Sequence, residues 1–89
     1  MSCKKIIAIG RADKNDLVLQ SPAVSSEHAL LLVGQDDQHL LVDRNSANGT
    51  RVAGVDDGAR IKQKMVTELE EIFFGDVCLT VGEIVRLCE

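Results

Sequence analysis

Arginine, serine, histidine and asparagine gather at the ends of apolar runs in this chain, and the arginine and serines among them can hold an anion. Arg11 closes the stretch "IGR", directly after Gly10, a residue that lets the backbone turn sharply. Its guanidinium is a planar fork of donors, suited to a carboxylate or a phosphate. In "VSSEH", Ser25 and Ser26 offer two small hydroxyls that can donate to an anion without crowding it. His28 is followed at once by Ala29-Leu30-Leu31, which places it at the entry to a strand, as a buried imidazole that holds a loop by hydrogen bonds. "DRNSANGT" then supplies Asn45, Ser46 and Asn48, more amide and hydroxyl than a turn requires. Asn48-Gly49 is a strong turn signal because both residues tolerate positive φ. Asn48 also carries a donor and an acceptor, the pair that clamps an extended peptide backbone.

Each of these has a plainer reading: a solvated surface arginine, a hairpin turn, a satisfied core histidine. Serine and histidine also serve as nucleophile and base in hydrolases. That reading needs a Ser–His hydrogen bond, which close spacing on one strand rarely gives, and an orienting carboxylate that the sequence does not identify.

Totals restrict the partners. The 89 residues suit one domain, residues 1–89, with a single modest core. A net charge of −4 lacks the basic face of a nucleic-acid binder, and Phe73 and Phe74 alone give base stacking almost no platform. No apolar run approaches the roughly eighteen residues of a membrane span. The opening "MSCKKIIAIG" is too short in apolar residues for a signal peptide, so a cytoplasmic protein or an excised cytoplasmic domain is expected, with neither nucleic acid nor membrane as partner. Cys3, Cys78 and Cys88 are odd in number and lack Cys-x-x-Cys spacing, implying neither a disulfide framework nor a zinc site. Cys78, in "DVCLTV", reads as a buried small hydrophobe.

The elements that must position these residues are short apolar runs divided by turn formers. "KKIIAI", "DLVL", "HALLLV", "HLLVD", "TRVAG", "ARIKQ", "EEIFF", "VCLTV" and "EIVRLC" all read as strands. Val77, Leu79 and Val81 share one face by alternation, as do Leu17 and Leu19. The pattern predicts an all-β sandwich. A helix competes over residues 61–74, where Ile61, Met65, Leu69 and Ile72 are helically spaced; two strands joined by a turn near Glu68 are the preferred reading. "GQDDQ" is a plain acidic hairpin turn. The polar loops "GRADKN", "QSPAVSSEH" and "DRNSANGT" should lie side by side at one end of the sandwich, where such loops carry function.

The ordered set "IGR", "NDLVL", "VSSEH", "DRNSANGT", "VAG" and "FGD" resembles the forkhead-associated (FHA) domain over about residues 6–81. Ser-x-Asn-Gly-Thr is its most specific part. The resemblance implies an all-β, FHA-type sandwich of two antiparallel sheets, with about eleven strands. It also implies a module without catalytic activity, cofactor or metal, which binds phosphothreonine peptides through loops at one end. Arg11 then corresponds to the arginine that ligates the phosphate and Ser25 to the serine that hydrogen-bonds it. Ser26 takes the neighbouring phosphate-facing position, and Asn48 corresponds to the asparagine that grips the peptide backbone. Gly10, His28, Gly49 and Thr50 correspond to residues that shape the loops. Three departures stand out. Ser26 replaces the commoner arginine, Ala47 replaces a threonine or serine, and Leu69-Glu70 replace the usual Gly-Asp turn.

Lys14, Arg44 and Arg51 read as solvated residues that add at most unspecific attraction. The chain's own threonines, Thr50, Thr67 and Thr80, fall in expected strands or the turn. The ligand is therefore expected on another chain: a threonine-phosphorylated protein supplied in trans, with an upstream Ser/Thr kinase implied. Two alternatives stay open: a phosphate-independent assembly module on the same fold, and the small Ser/His hydrolase.

Overall fold

The computed structural model describes residues 4–89, so Cys3 lies outside the described residues. Among the described residues eight strands form, where the resemblance implies about eleven: β1 (Lys5–Gly10), β2 (Leu17–Val18), β3 (Ala29–Val33), β4 (His39–Asp43), β5 (Thr50–Val52), β6 (Gln63–Val66), β7 (Glu71–Phe74) and β8 (Val77–Thr80). They build a five-stranded sheet of order β2-β1-β3-β4-β6 and a three-stranded sheet of order β5-β7-β8. All pairings are antiparallel except β1 with β2, a parallel pair at one edge. The all-β sandwich expected from the strand pattern is the observed architecture. Residues 61–74 form two strands and a turn, closed where Thr67 N donates to Glu70 Oε2 at 2.7 Å. The expected strand "ARIKQ" begins four residues later than read, at Gln63.

Alternation directs the core. Ile7, Ile9, Leu31 and Leu41 point inward from the larger sheet, and Val52, Ile72 and Phe74 from the smaller; all are fully buried. Burying one such side chain stabilises the fold by about 1.5–3 kcal/mol.

Two expectations fail. "EIVRLC" is not a strand: Val81–Leu87 form helix α1, which buries Val81 and Ile84. Thr80 Oγ1 accepts from Glu83 N at 3.1 Å while Glu83 Oε1 accepts from Thr80 N at 2.9 Å, a capping box that starts the helix. Cys78 is exposed rather than buried, because Val77 and Leu79 take the inner face and alternation turns the residue between them outward. Among the described residues, no helix is long and apolar enough to cross a membrane.

Register brings the polar loops together. Ile9 pairs with Ala29, and Ala29 with Asp43, so β1 ends, β3 begins and β4 ends at one pole. The loops that carry Arg11, Ser25 and Asn48 leave from there.

Candidate functional site

Gly10 fixes the first contact. A Cβ there would lie 2.3 Å from the Ser26 carbonyl oxygen, so only glycine lets the two backbones meet. Across that contact Arg11 N donates to Ser25 O (3.0 Å) and Ala12 N to Ser26 O (3.2 Å). Asn15, buried beneath, donates from Nδ2 to Ala12 O at 2.8 Å and to Ser26 O at 2.7 Å.

His28 ties the second loop to the third. Its Nδ1 accepts from Ser25 N at 3.0 Å, which leaves the proton on Nε2 to donate to Gly49 O at 2.9 Å. The imidazole is fully buried and meets Phe74 edge-on, with ring centroids 5.9 Å apart. Both nitrogens are engaged, and Ser25 presents its amide rather than its hydroxyl. His28 therefore has no lone pair left to act as a base toward serine.

The third loop is organised from Asp43, a residue the sequence reading passed over. Its Oδ1 accepts from Ser46 Oγ (2.5 Å) and Thr50 Oγ1 (2.7 Å), and its Oδ2 from Ser46 N (3.1 Å). Ser46 Oγ accepts in turn from Gly49 N at 3.1 Å. Burial pushes the Asp43 carboxyl up, but the hydrogen bonds from Ser46 and Thr50 outweigh it and hold the group below the usual carboxylate range. The turn's positive φ falls on Gly49 (86°) and Asn45 (57°); Asn48 is not among the positive-φ residues. Arg60 lies along Gly49, donates from Nη2 to Ser46 O at 2.6 Å, and approaches Asp43 Oδ2 at 3.7 Å. An aspartate three residues before a serine was a legible turn signal. Nothing local in the sequence marks Asn15 or Arg60, whose partners lie 11 and 14 residues away.

The expected ligand-binding residues sit on this frame. Ser25 Oγ accepts from Ala47 N at 3.0 Å, which leaves its hydroxyl proton to donate. Asn48 is exposed and donates from Nδ2 to Ala23 O at 2.9 Å, so part of its amide already braces the loop. Ser26 is exposed, its carbonyl engaged as described. The exposed Arg11 side chain borders a shallow depression with Gln20, Ser21 and Pro22. Direct backbone and side-chain hydrogen bonds thus join the segments bearing Arg11, Ser25 and Asn48. Gly10, His28, Gly49 and Thr50 all lie in the supporting frame, Thr50 fully buried.

Charges around this pole are mostly cancelled. Glu27 meets Lys14 at 3.3 Å and Arg44 at 3.1 Å. The Lys14 hydrogen bond, then the two positive charges, keep Glu27 below its ordinary range. This corrects the reading of Lys14 and Arg44 as solvated cations. Among the described residues the Arg11 guanidinium makes no ion pair.

At the opposite pole the ligand atoms of Asp37, His39 and Glu68 lie within 4.8 Å of one another. Gly34 N donates to His39 Nδ1 at 3.1 Å, so the proton sits on Nε2, the nitrogen 3.5 Å from Asp37 Oδ1. A protonated nitrogen presents a donor there, not a metal ligand.

The FHA domain profile matches residues 7–75, most of the chain. The chain belongs to the FHA domain family. Among solved structures it is similar to the FHA domain of CT664 from Chlamydia trachomatis, at 25% identity and TM-score 0.74, covering 88% of this chain and 76% of that one. It is also similar to Mycobacterium tuberculosis EmbR in complex with a low-affinity phosphopeptide, at 29% identity and TM-score 0.71, covering 84% of this chain but only 19% of EmbR. A third FHA domain comes from a structural and functional analysis of phosphothreonine-dependent interactions, at 25% identity and TM-score 0.73, covering 84% of this chain and 73% of that one. No curated protein sequence matches the chain.

Proposed function

We propose that this FHA chain is a single non-catalytic domain, residues 1–89, that recognises phosphothreonine in a partner protein. The ligand comes in trans from a Ser/Thr kinase pathway in the cytoplasm. The observation that carries the reading is charge. Lys14, Arg44 and Arg60 each meet a carboxylate, whereas Arg11, at the mouth of three mutually bonded loops, keeps its fork unpaired among the described residues. EmbR, solved with a phosphopeptide, and the FHA domain studied for phosphothreonine-dependent interactions point the same way.

Arg11 ligates the phosphate, the free proton of Ser25 donates to it with Ser26 alongside, and Asn48 holds the peptide backbone. Phosphothreonine carries about −1.5 to −2 charges, and each hydrogen bond to a charged group contributes about 1.5–3 kcal/mol. Two such contacts separate phosphorylated from bare threonine by a few kcal/mol, enough for a switch. A ligand from another chain fits the threonines here: Thr50 is buried, Thr80 caps α1, and Thr67 lies one residue past β6 at the far pole, outside the strand expected for it.

Fluorescence anisotropy with one peptide in phosphothreonine, phosphoserine and threonine forms tests the reading. Phosphothreonine should bind best, and Arg11→Ala should weaken it at least about tenfold, the loss of one charged contact. Equal binding of the three forms would leave the second reading, a phosphate-independent assembly module. Ser26 and Ala47 favour that alternative, since the first brings the phosphate no charge and the second no hydroxyl.

A further inference from the structure

The larger sheet has a second apolar face. Ile6, Leu32, Leu40 and Met65 are cross-strand partners in one row over β1, β3, β4 and β6, and Leu30 pairs with Val42 in the next row. They alternate with the inward-facing Ile7, Leu31 and Leu41, so they face away from the core. Leu30, Leu32, Leu40 and Val42 are half-buried yet do not pack against the core cluster; Ile6 is 56% and Met65 44% exposed. An antiparallel sheet with one face in water should be polar there.

We infer that this face docks an amphipathic helix of a partner protein, with acidic residues flanking its apolar stripe. Size selects a helix. Four strands about 4.8 Å apart and two rows about 7 Å apart cover on the order of 300 Å². A second copy of the chain would need about 800 Å² per partner for a stable dimer. Three turns of helix, about 10 Å wide and 16 Å long, match the patch. Charge selects the flanks: the six positions hold no carboxylate, and exposed Lys4, two residues before Ile6, falls on the same face by alternation. The docking face is separate from the loop pole and stands whether or not phosphate is recognised there.

The test titrates the ¹⁵N-labelled chain with synthetic helical peptides of about five turns. One has a leucine stripe flanked by glutamate, one has the same stripe flanked by lysine, and one is a scrambled leucine/glutamate sequence. The glutamate-flanked peptide should shift the amides of Ile6, Leu32, Leu40 and Met65. Leu40→Gln, whose outward position spares the core, should weaken it about tenfold or more. Arg11→Ala should leave it unchanged. No shifts, shifts elsewhere, equal binding of either control peptide, or unchanged affinity in Leu40→Gln would each overturn the inference. So would sedimentation that finds a dimer of the chain alone burying the same amides.

Discussion

Asp43 gives the sharpest test of how the recognition turn is held. Its side chain is 6% exposed and receives both hydroxyls of Ser46 and Thr50, residues themselves 4% and 0% exposed. Asp43→Ala strands two buried hydroxyls, at about 1–3 kcal/mol each, besides losing the hydrogen bond to Ser46 N. A total near 4 kcal/mol approaches the whole stability of a small domain, so this variant is expected to be largely unfolded. Asp43→Asn is the informative change. It keeps one acceptor oxygen but turns an NH₂ toward Ser46 N, for an expected loss of about 1.5–2 kcal/mol. With a urea m-value of about 1–1.5 kcal/mol/M, the unfolding midpoint should fall by about 1–2 M. A double-mutant cycle with Ser46→Ala should return a coupling of about 1 kcal/mol. A midpoint within about 0.3 M of wild type, or no coupling, would show that the network does not hold the turn.

The same carboxylate sets an acid limit. Its folded pKa lies below the ordinary value, so its contribution is complete above that value and lost as pH falls through and below it. The urea midpoint should therefore decline from about pH 5 downward, with a shallower slope in Asp43→Asn; parallel slopes would remove Asp43 from the explanation. Gly10→Ala should cost about 1–3 kcal/mol by overpacking against Ser26 O and move the amide resonances of Arg11 and Ser26, whereas an undisturbed spectrum would contradict the 2.3 Å approach. Glu27→Gln releases Lys14 and Arg44 at the loop pole. Association with an anionic peptide should quicken roughly twofold or more at low salt, and the gain should vanish at high salt; a gain that persists would not be electrostatic.

Much of the fold was legible because the strands obey a period of two and the loops between them are polar. The sandwich, His28 as a buried loop tie and the two-strand reading of residues 61–74 all came from that signal. The C-terminal segment misled because the β-branched Ile84 and Val85 are good strand residues taken singly. Their helical companions were there to be read: Val81, Ile84, Val85 and Cys88 stand at i, i+3, i+4 and i+7, behind a Thr-x-x-Glu start. Cys78 was misplaced against its own alternation, since Val77 and Leu79 were already assigned to one shared face, which leaves Cys78 on the other. The supporting frame was harder. Asn15 and Arg60 act on partners far along the chain, and the pairing of Lys14 and Arg44 with Glu27 exists only once the loops converge.

The two histidines show where the fold concentrates rigidity. Each opens or directly precedes a strand, and each accepts a backbone N–H on Nδ1, from Ser25 at His28 and from Gly34 at His39. Both therefore carry their proton on Nε2. At the loop pole that proton meets Gly49 O at 2.9 Å and locks two polar loops together. At the far pole it faces Asp37 at 3.5 Å, and His39 Nε2 is buried without a hydrogen bond among the described residues. The same device is closed at one end and slack at the other. Closure matters because ordering a loop or an interface side chain on binding costs free energy, about 0.5–1.5 kcal/mol per immobilised side chain. Loops already fixed by Asp43, Asn15 and His28 avoid most of that cost, so under the proposed function the few contacts assigned to Arg11, Ser25 and Asn48 can suffice even though Ser26 brings no charge and Ala47 no hydroxyl.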